Sequence, residues 1–542
     1  MNNAVFVFEN PQNEAILPYM KGSKERVELE KELKKQASEK IEIPLIIGGK
    51  EIRTGKTGKV VMPHAHGHVL AEYHMATDKE VQLAIKSALE AKECWMNLSW
   101  IDRSSILLKA ADLLSTKYRY VINAATMLGQ GKNVFQAEID AACEVIDYLR
   151  FNVHFASLIY KEQPHSDNYS INRLEYRPLE GFIYTITPFN FTAIASNLNT
   201  CVALMGNTTV WKPATTSLLS NYYLMKVFKE AGLPDGVINF VPGSGSLISD
   251  VVLNHKDMAG IHFTGSNQTF DHLWNEVTEK LHNYKSYPKL VGETGGKDFI
   301  FAHSSANPLE LATAIVRGAF EYQGQKCSAA SRAYIPKSIW NETKNIMLDM
   351  ISDIKMGDVR DLNNFVNAVI DENSFDNIMS YIGKAKNSSE AKILAGGTGD
   401  KREGYFVKPT VIQTENPHFL TMEEEIFGPV MTIYVYEDKN FEKTLEICDQ
   451  TSRYALTGSI FSNDKYAMGI ACRKLRYSAG NFYINDKPSG AMVGQQPFGG
   501  ARCSGTNDKA GSHLNLLRWI SPRTIKETLL PATDYKYPYM EK

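Results

Sequence analysis

No stretch of this chain approaches the ~20 consecutive apolar residues that span a bilayer, so no membrane-crossing helix is expected. Charge of one sign is also missing: 59 Lys and Arg against 61 Asp and Glu leave a net charge of −2, which gives nucleic acid no electrostatic foothold. Cysteine is sparse and scattered. The seven, at Cys94, Cys143, Cys201, Cys327, Cys448, Cys472 and Cys503, form no Cys-x-x-Cys pair, which excludes a zinc site of that kind and a disulfide framework, so no metal is expected. The N-terminus has neither the basic start and apolar core of a signal peptide nor the Arg-rich, acid-poor pattern of a transit peptide. A reducing compartment, the cytoplasm, is the natural reading. Internal repeats and low-complexity linkers are lacking too.

The composition that remains, 43% hydrophobic and 22% charged over 542 residues, describes a globular chain of two or three domains. Residues 24–40 read as a highly charged surface helix, and Thr77 with Glu80 as a capping box opening another. Helices near 101–128 and 134–156 make the first third mostly helical. From Gly181 the pattern changes to short β-rich runs alternating with helices: 181–187, 208–212, 237–241 and 260–264 as strands, with helices near 192–205, 217–231 and 246–254. That alternation is the mark of βαβ units on a parallel sheet, whose ligands collect beyond the carboxyl ends of the strands. A second α/β region follows Glu293, with strands at 333–336, 431–436 and 458–461. The tail after 505 shows no core of its own and ends in a Tyr/Pro-rich segment.

Cys327 stands in Gly324-Gln325-Lys326-Cys327-Ser328, a polar, small-residue setting unlike a dry core. It reads as a thiol nucleophile; the other six cysteines read as small buried hydrophobes. Glu293 opens Glu293-Thr294-Gly295-Gly296-Lys297, where paired glycines allow close approach and a partly buried carboxylate serves as a base for water. Asn190, in Pro188-Phe189-Asn190-Phe191, is either a helix N-cap or an amide donor to an oxyanion. Thr264-Gly265-Ser266 ends a strand ahead of a helix, where hydroxyl and amide donors suit a phosphate.

Taken in order, Pro188-Phe189-Asn190-Phe191, Trp211-Lys212-Pro213, Phe263-Thr264-Gly265-Ser266, Glu293-Thr294-Gly295-Gly296, Gly324-Gln325-Lys326-Cys327, the Glu424-Glu425-Ile426-Phe427-Gly428-Pro429 segment and Pro497-Phe498-Gly499-Gly500 resemble the aldehyde dehydrogenase superfamily. A narrower resemblance, to Δ1-pyrroline-5-carboxylate dehydrogenases, which oxidise L-glutamate γ-semialdehyde in proline catabolism, lies in 481–487, 490–500, 136–142 and 501–508. The resemblance implies an α/β architecture: a doubly wound cofactor domain (1–160 and 181–291), an α/β catalytic domain (292–504), and a small β oligomerisation element (161–180 and 505–542). It implies that Cys327 attacks the aldehyde carbon, that Asn190 and the Cys327 N–H hold the oxyanion, and that Glu293 activates water. NAD is the implied cofactor, bound through Lys212, Thr215, Gly265, Ser266, Glu425, Phe427 and Pro188. Ser328 with the N–H groups of Gly490 and Ala491 is expected to take the substrate carboxylate, Phe191 and Phe498 to sandwich its chain, and Glu138 to pair with its ammonium.

Two positions depart from the superfamily pattern. Thr215 stands where many members have a glutamate gripping the adenosine ribose, which leaves NADP use open, and Phe270 stands where a glycine is frequent. The resemblance further implies a homodimer or dimer-based assembly and a transient contact with proline dehydrogenase. Oxidation of another carboxylated semialdehyde, such as succinate semialdehyde, and a catalytically silent member of the fold are the competing expectations.

Overall fold

Strands Phe182–Ile186 and Met258–Thr264 are apolar at nearly every position and buried along their whole length, as strands of a parallel sheet covered on both faces must be. The structure, a computed structural model, describes residue 6 and residues 8–540. These two strands sit inside a seven-stranded sheet whose order is Lys289–Glu293, Met258–Thr264, Phe182–Ile186, Thr209–Lys212, Ile238–Phe240, Leu45–Ile47 and Lys50–Ile52. The first five run parallel, with register such as Ile183 opposite Thr209 and Phe263 opposite Gly292. Helices Thr192–Leu204 and Leu218–Ala231 on one side and Asp78–Asn97 on the other bury the sheet's two faces.

A second seven-stranded sheet has the order Ala391–Ala395, Thr410–Thr414, Val430–Tyr436, Ala330–Pro336, Asp298–Ala302, Thr457–Phe461 and Asn481–Ile484. Only its first strand is antiparallel to its neighbour. The chain passes from one sheet to the other through Glu293-Thr294-Gly295-Gly296-Lys297, between the end of Lys289–Glu293 and the start of Asp298–Ala302. A third unit is a long two-stranded ribbon in which Ser170–Pro178 pairs antiparallel with Ile520–Thr528, from Ile520 opposite Pro178 to Thr528 opposite Ser170.

Four expectations need correction. The first third is not mostly helical: residues 41–74 hold five strands, two of which extend the cofactor-side sheet through Ile46 opposite Phe240. Strands of three residues carry almost no periodicity of their own and are fixed by their partners. The tail after 505 does contribute core, since Leu516 and Trp519 are fully buried and the Trp519 carbonyl accepts from Asn207 Nδ2 at 2.8 Å. Cys94 and Cys503 are exposed and Cys472 is partly so, because they lie on solvent-facing helix or loop positions. Finally, the 134–156 helix is interrupted by a π-helical turn, Glu138–Glu144, between Val134–Ala137 and Val145–Lys161. Such turns cluster at functional sites.

Candidate active site

Cys327 is delivered by a turn that most residues resist. Helix Pro308–Phe320 runs into Glu321–Gly324, where Tyr322 (φ 51°), Gln323 (φ 55°) and Gly324 (φ 67°) are all left-handed, a conformation costly for residues with a side chain. Dense hydrogen bonding holds it. Tyr322 Oη donates to the Gln130 carbonyl at 3.0 Å, and Gln323 Nε2 donates to Gly131 O at 2.8 Å and Ala368 O at 2.9 Å. Gln323 Oε1 accepts from Asn367 N at 3.0 Å, and Gln325 Oε1 from Ile370 N at 2.8 Å. At Gly324 any Cβ would fall 2.2 Å from the Gly428 carbonyl, so glycine is obligatory there.

The thiol lies deep but keeps partial access to solvent. Burial pushes it well above the usual thiol range, and the nearby charges of Glu293, Asp298 and Glu425 push it further. Glu293 ends strand Lys289–Glu293 and forms an isolated bridge with Gly505. Burial raises its carboxyl to about 8, with Asp508 adding to the shift and Lys509 opposing it. Asn190 is 3% exposed. It does not cap its helix, which begins at Phe191 without a side-chain cap; instead Nδ2 donates across the site to the Gln325 carbonyl at 3.1 Å.

One cavity is lined by Cys327, Glu293, Phe191, Ser328, Gly490, Ala491 and Phe498 together. Gly490 has φ +92°, which turns the 489–491 loop over the cavity mouth. Behind that mouth Glu321 binds Lys326 at 2.9 Å and Arg317 at 3.2 Å, with Lys487 at 3.8 Å. Burial raises the Glu321 carboxyl, but Lys326 and Lys487 outweigh it and bring it down to about 2. Three cations around one carboxylate leave this rim net positive.

Glu138 does not reach the cavity. It is fully buried and bound to the Arg119 guanidinium, while also accepting from Tyr19 Oη at 2.7 Å, Asn123 Nδ2 at 2.7 Å and Leu17 N at 2.9 Å. The residue that does line it is Glu144, at the other end of the π turn. Burial pushes Glu144 well above the usual carboxylate range, and Asp140 adds to this. Glu14, Asp147, Lys326 and Lys487 also line the cavity and had no assignment from sequence. Lys326 and Lys487 stood inside motif segments, while Glu14 comes from an irregular N-terminal stretch held to Asp147 through Asn13 at 2.8 Å and its own N–H at 2.7 Å. No local pattern could have placed it.

On the far side of Cys327, the carboxyl ends of adjacent parallel strands carry Glu293, Gly265 with Ser266, Pro188, and Lys212, in that order across the sheet. Ser266 caps helix Asn267–Glu279, its hydroxyl accepting from Thr269 N at 3.3 Å. Lys212 runs beside Gly245 at the start of helix Gly245–Leu253, and burial lowers its ammonium. Glu425 accepts from Gly296 N at 2.9 Å, and burial raises it to about 7. Phe427 (φ 58°) meets Phe189 edge-on at 5.8 Å. Thr215 opens a short 3-10 turn and bonds the Tyr73 hydroxyl. Phe270 stacks on Phe263 at 5.3 Å and fills the space against Gly292, so it is a core ring and leaves Ser266 in place. Among the described residues, no group of His, Cys, Asp and Glu is arranged to hold a metal.

The comparisons agree with this geometry along the whole chain. Residues 52–525 match the model of the aldehyde dehydrogenase family. The Dictyostelium discoideum "Delta-1-pyrroline-5-carboxylate dehydrogenase, mitochondrial" is 54% identical over 98% of this chain and 96% of its own length. The Schizosaccharomyces pombe "Probable delta-1-pyrroline-5-carboxylate dehydrogenase" is 50% identical over 92% of each. The crystal structure of the Mycobacterium tuberculosis Delta-pyrroline-5-carboxylate dehydrogenase bound with NAD is similar with a TM-score of 0.97, at 49% identity and full coverage of both chains. A thiol on a strained turn, a buried carboxyl across from it and cofactor-side strand ends in this order are thus features of a known lineage: the chain belongs to the aldehyde dehydrogenase family.

Proposed function

We propose that the chain oxidises L-glutamate γ-semialdehyde, the open form of Δ1-pyrroline-5-carboxylate, to L-glutamate with NAD+. The observation that carries this is the single cavity uniting Cys327 and Glu293 with the Phe191 and Phe498 rings and the Gly490–Ala491 loop. The relatives named above support the same substrate and cofactor.

The cofactor edge fits a dinucleotide. Lys212 beside one helix start and Ser266 at another present a cation and N–H donors to phosphate, and Glu425 is a buried acceptor suited to ribose hydroxyls. When bound, the nicotinamide accepts the hydride that the substrate carbon gives up.

The protein's own residues do the rest. Cys327 gives its proton to Glu293 and its Sγ forms a bond to the aldehyde carbon. The oxygen, now anionic, rests on Asn190 Nδ2 and the Cys327 N–H, a type of contact worth roughly 3 kcal/mol of barrier. After hydride loss the sulfur carries a thioester. Glu293 takes a proton from water, the hydroxide adds to the carbonyl, the C–S bond breaks, and the acid leaves as the thiolate returns.

At the other end of the substrate, Ser328 and the N–H groups of Gly490 and Ala491 receive the carboxylate under the positive rim of Lys326 and Lys487. Glu144, rather than Glu138, faces the ammonium. A cation arriving beside Glu144 restores its ionised form, which burial otherwise disfavours.

The ribbon and the aromatic tail that follows it support a homodimer or dimer-based assembly. The cytoplasm remains the compartment proposed for seven unpaired cysteines. Recovery of the protein in a mitochondrial fraction, as the name of the Dictyostelium relative suggests for that protein, would overturn this placement. Steady-state kinetics test the central reading. A kcat/KM for L-glutamate γ-semialdehyde well above that for succinate semialdehyde, and higher with NAD+ than with NADP+, is expected. A preference for succinate semialdehyde, or unchanged NADH production by Cys327→Ser, overturns it.

A further inference from the structure

The mechanism leaves one buried cation without a task. The Lys132 side chain is 1% exposed. Its Nζ donates to Asp140 Oδ2 at 2.6 Å and lies 4.1 Å from the centre of the Phe191 ring and 4.5 Å from that of Tyr322. One carboxylate and two π faces thus surround the ammonium. Hydrophobic side chains of similar volume often pack as stably as a buried ion pair, so stability alone gives no reason for a charge here. Direction does.

Asp140 is the missing cap of helix Thr192–Leu204. Its Oδ2 accepts from Thr192 N at 3.0 Å and its Oδ1 from Ala193 N at 2.8 Å, where the N-cap Phe191 offers no side-chain acceptor. The pair therefore fixes the start of that helix, and with it Asn190 and Phe191 immediately before. On the opposite side, Tyr322 is the first left-handed residue of the turn that presents Cys327. Lys132 sits between the two halves of the site, clamping the Asn190–Phe191 segment to the Tyr322 turn, while touching no atom of the cavity wall itself.

We infer that Lys132, paired with Asp140, is a positioning residue that sets the placement of the Asn190 amide relative to Cys327. The inference rests on the proposed oxyanion role of Asn190. A misplacement of an ångström at such a contact costs about 100-fold in rate.

The test is a mutant cycle. Lys132→Met with Asp140→Asn removes both charges and strands neither. With L-glutamate γ-semialdehyde and NAD+, kcat is expected to fall about 10- to 100-fold, with little change in KM or in the Kd for NAD+. In an Asn190→Ala background the same two substitutions are expected to cost less than about threefold, because they act through a group already removed. Asp140→Asn alone, which changes no volume and keeps an acceptor for the helix start, gives a second variant should the first not fold, with a smaller loss and the same dependence on Asn190. A folded variant with wild-type kcat overturns the proposal. A slow Asn190→Ala enzyme in which the Lys132 loss appears in full overturns it alone, whereas wild-type kcat in Asn190→Ala overturns the oxyanion reading and this proposal together.

Discussion

Cys327 and Glu293 share one proton problem. Burial holds the thiol protonated, and the charge of Glu293 beside it makes a second negative charge harder to form. Burial holds Glu293 protonated as well, up to about 8. The site is therefore short of base at neutral pH, and water activation is the step that suffers most, since it needs an ionised Glu293. Steady-state kcat is expected to rise with pH and level off near pH 8, while Glu293→Ala gives an early NADH burst with little turnover and no such rise. Asp508→Asn removes a like charge and should move the inflection down; Lys509→Met removes the opposing cation and should move it up. An inflection at the ordinary glutamate value of about 4.3 would sink the assignment. The same shift bears on stability. A carboxyl raised in the folded state lends stability that is full below its ordinary pKa and is lost as pH rises through about 8. Glu293→Gln should therefore lose less stability than the wild type between roughly pH 5 and pH 8, as denaturant midpoints across that window will show.

Among elements, legibility followed locality. The strands from Phe182 to Thr264 could be read because each is an unbroken apolar run between turn residues, and the Thr77–Glu80 capping box could be read because it is four residues long, with Thr77 N donating to Glu80 at 3.0 Å. The three-residue strands Ile41–Ile43, Leu45–Ile47 and Lys50–Ile52 could not, because pairing partners far along the chain create them. The π turn Glu138–Glu144 explains the one misplaced substrate residue. An extra residue within a helix rotates everything after it, so the acid that looks inward from sequence is spent on Arg119, and Glu144 faces the cavity. The two acids should behave in opposite ways. Glu138→Gln breaks a buried pair and is expected to cost about 3–5 kcal/mol of stability, seen as a large fall in Tm. Glu144→Gln is expected to leave Tm near the wild-type value and raise KM for L-glutamate γ-semialdehyde about 10-fold or more, the worth of a hydrogen bond to a charged group. A wild-type KM in Glu144→Gln, with a raised KM in Glu138→Gln, would restore the earlier assignment.

At the scale of the whole molecule, the motif order located the catalytic centre, because each motif ends a strand and strand ends of adjacent parallel strands must lie side by side. It could not show what the ends of the chain do. The ribbon of Ser170–Pro178 with Ile520–Thr528 has two strands only, so both of its edges are unpaired, a liability that a single chain seldom leaves open. Beyond it the chain continues with Leu530 (78% exposed), Tyr535 (81%) and Tyr539 (81%), near Tyr169 (69%) on the ribbon. Apolar groups gathered at one end of a molecule, and contributing nothing to its own core, belong at an interface. A second copy of the chain, related by a twofold axis, offers both an edge to pair with and a surface for the tail to cover. Ending the chain after Thr528 should therefore lower the mass measured by light scattering toward that of a monomer. Because the cavity of Cys327 is built from residues elsewhere, activity per chain should survive at concentrations where the truncated protein stays folded. A truncated protein that keeps the full assembly, or an intact protein that is already monomeric, would remove the tail from the interface.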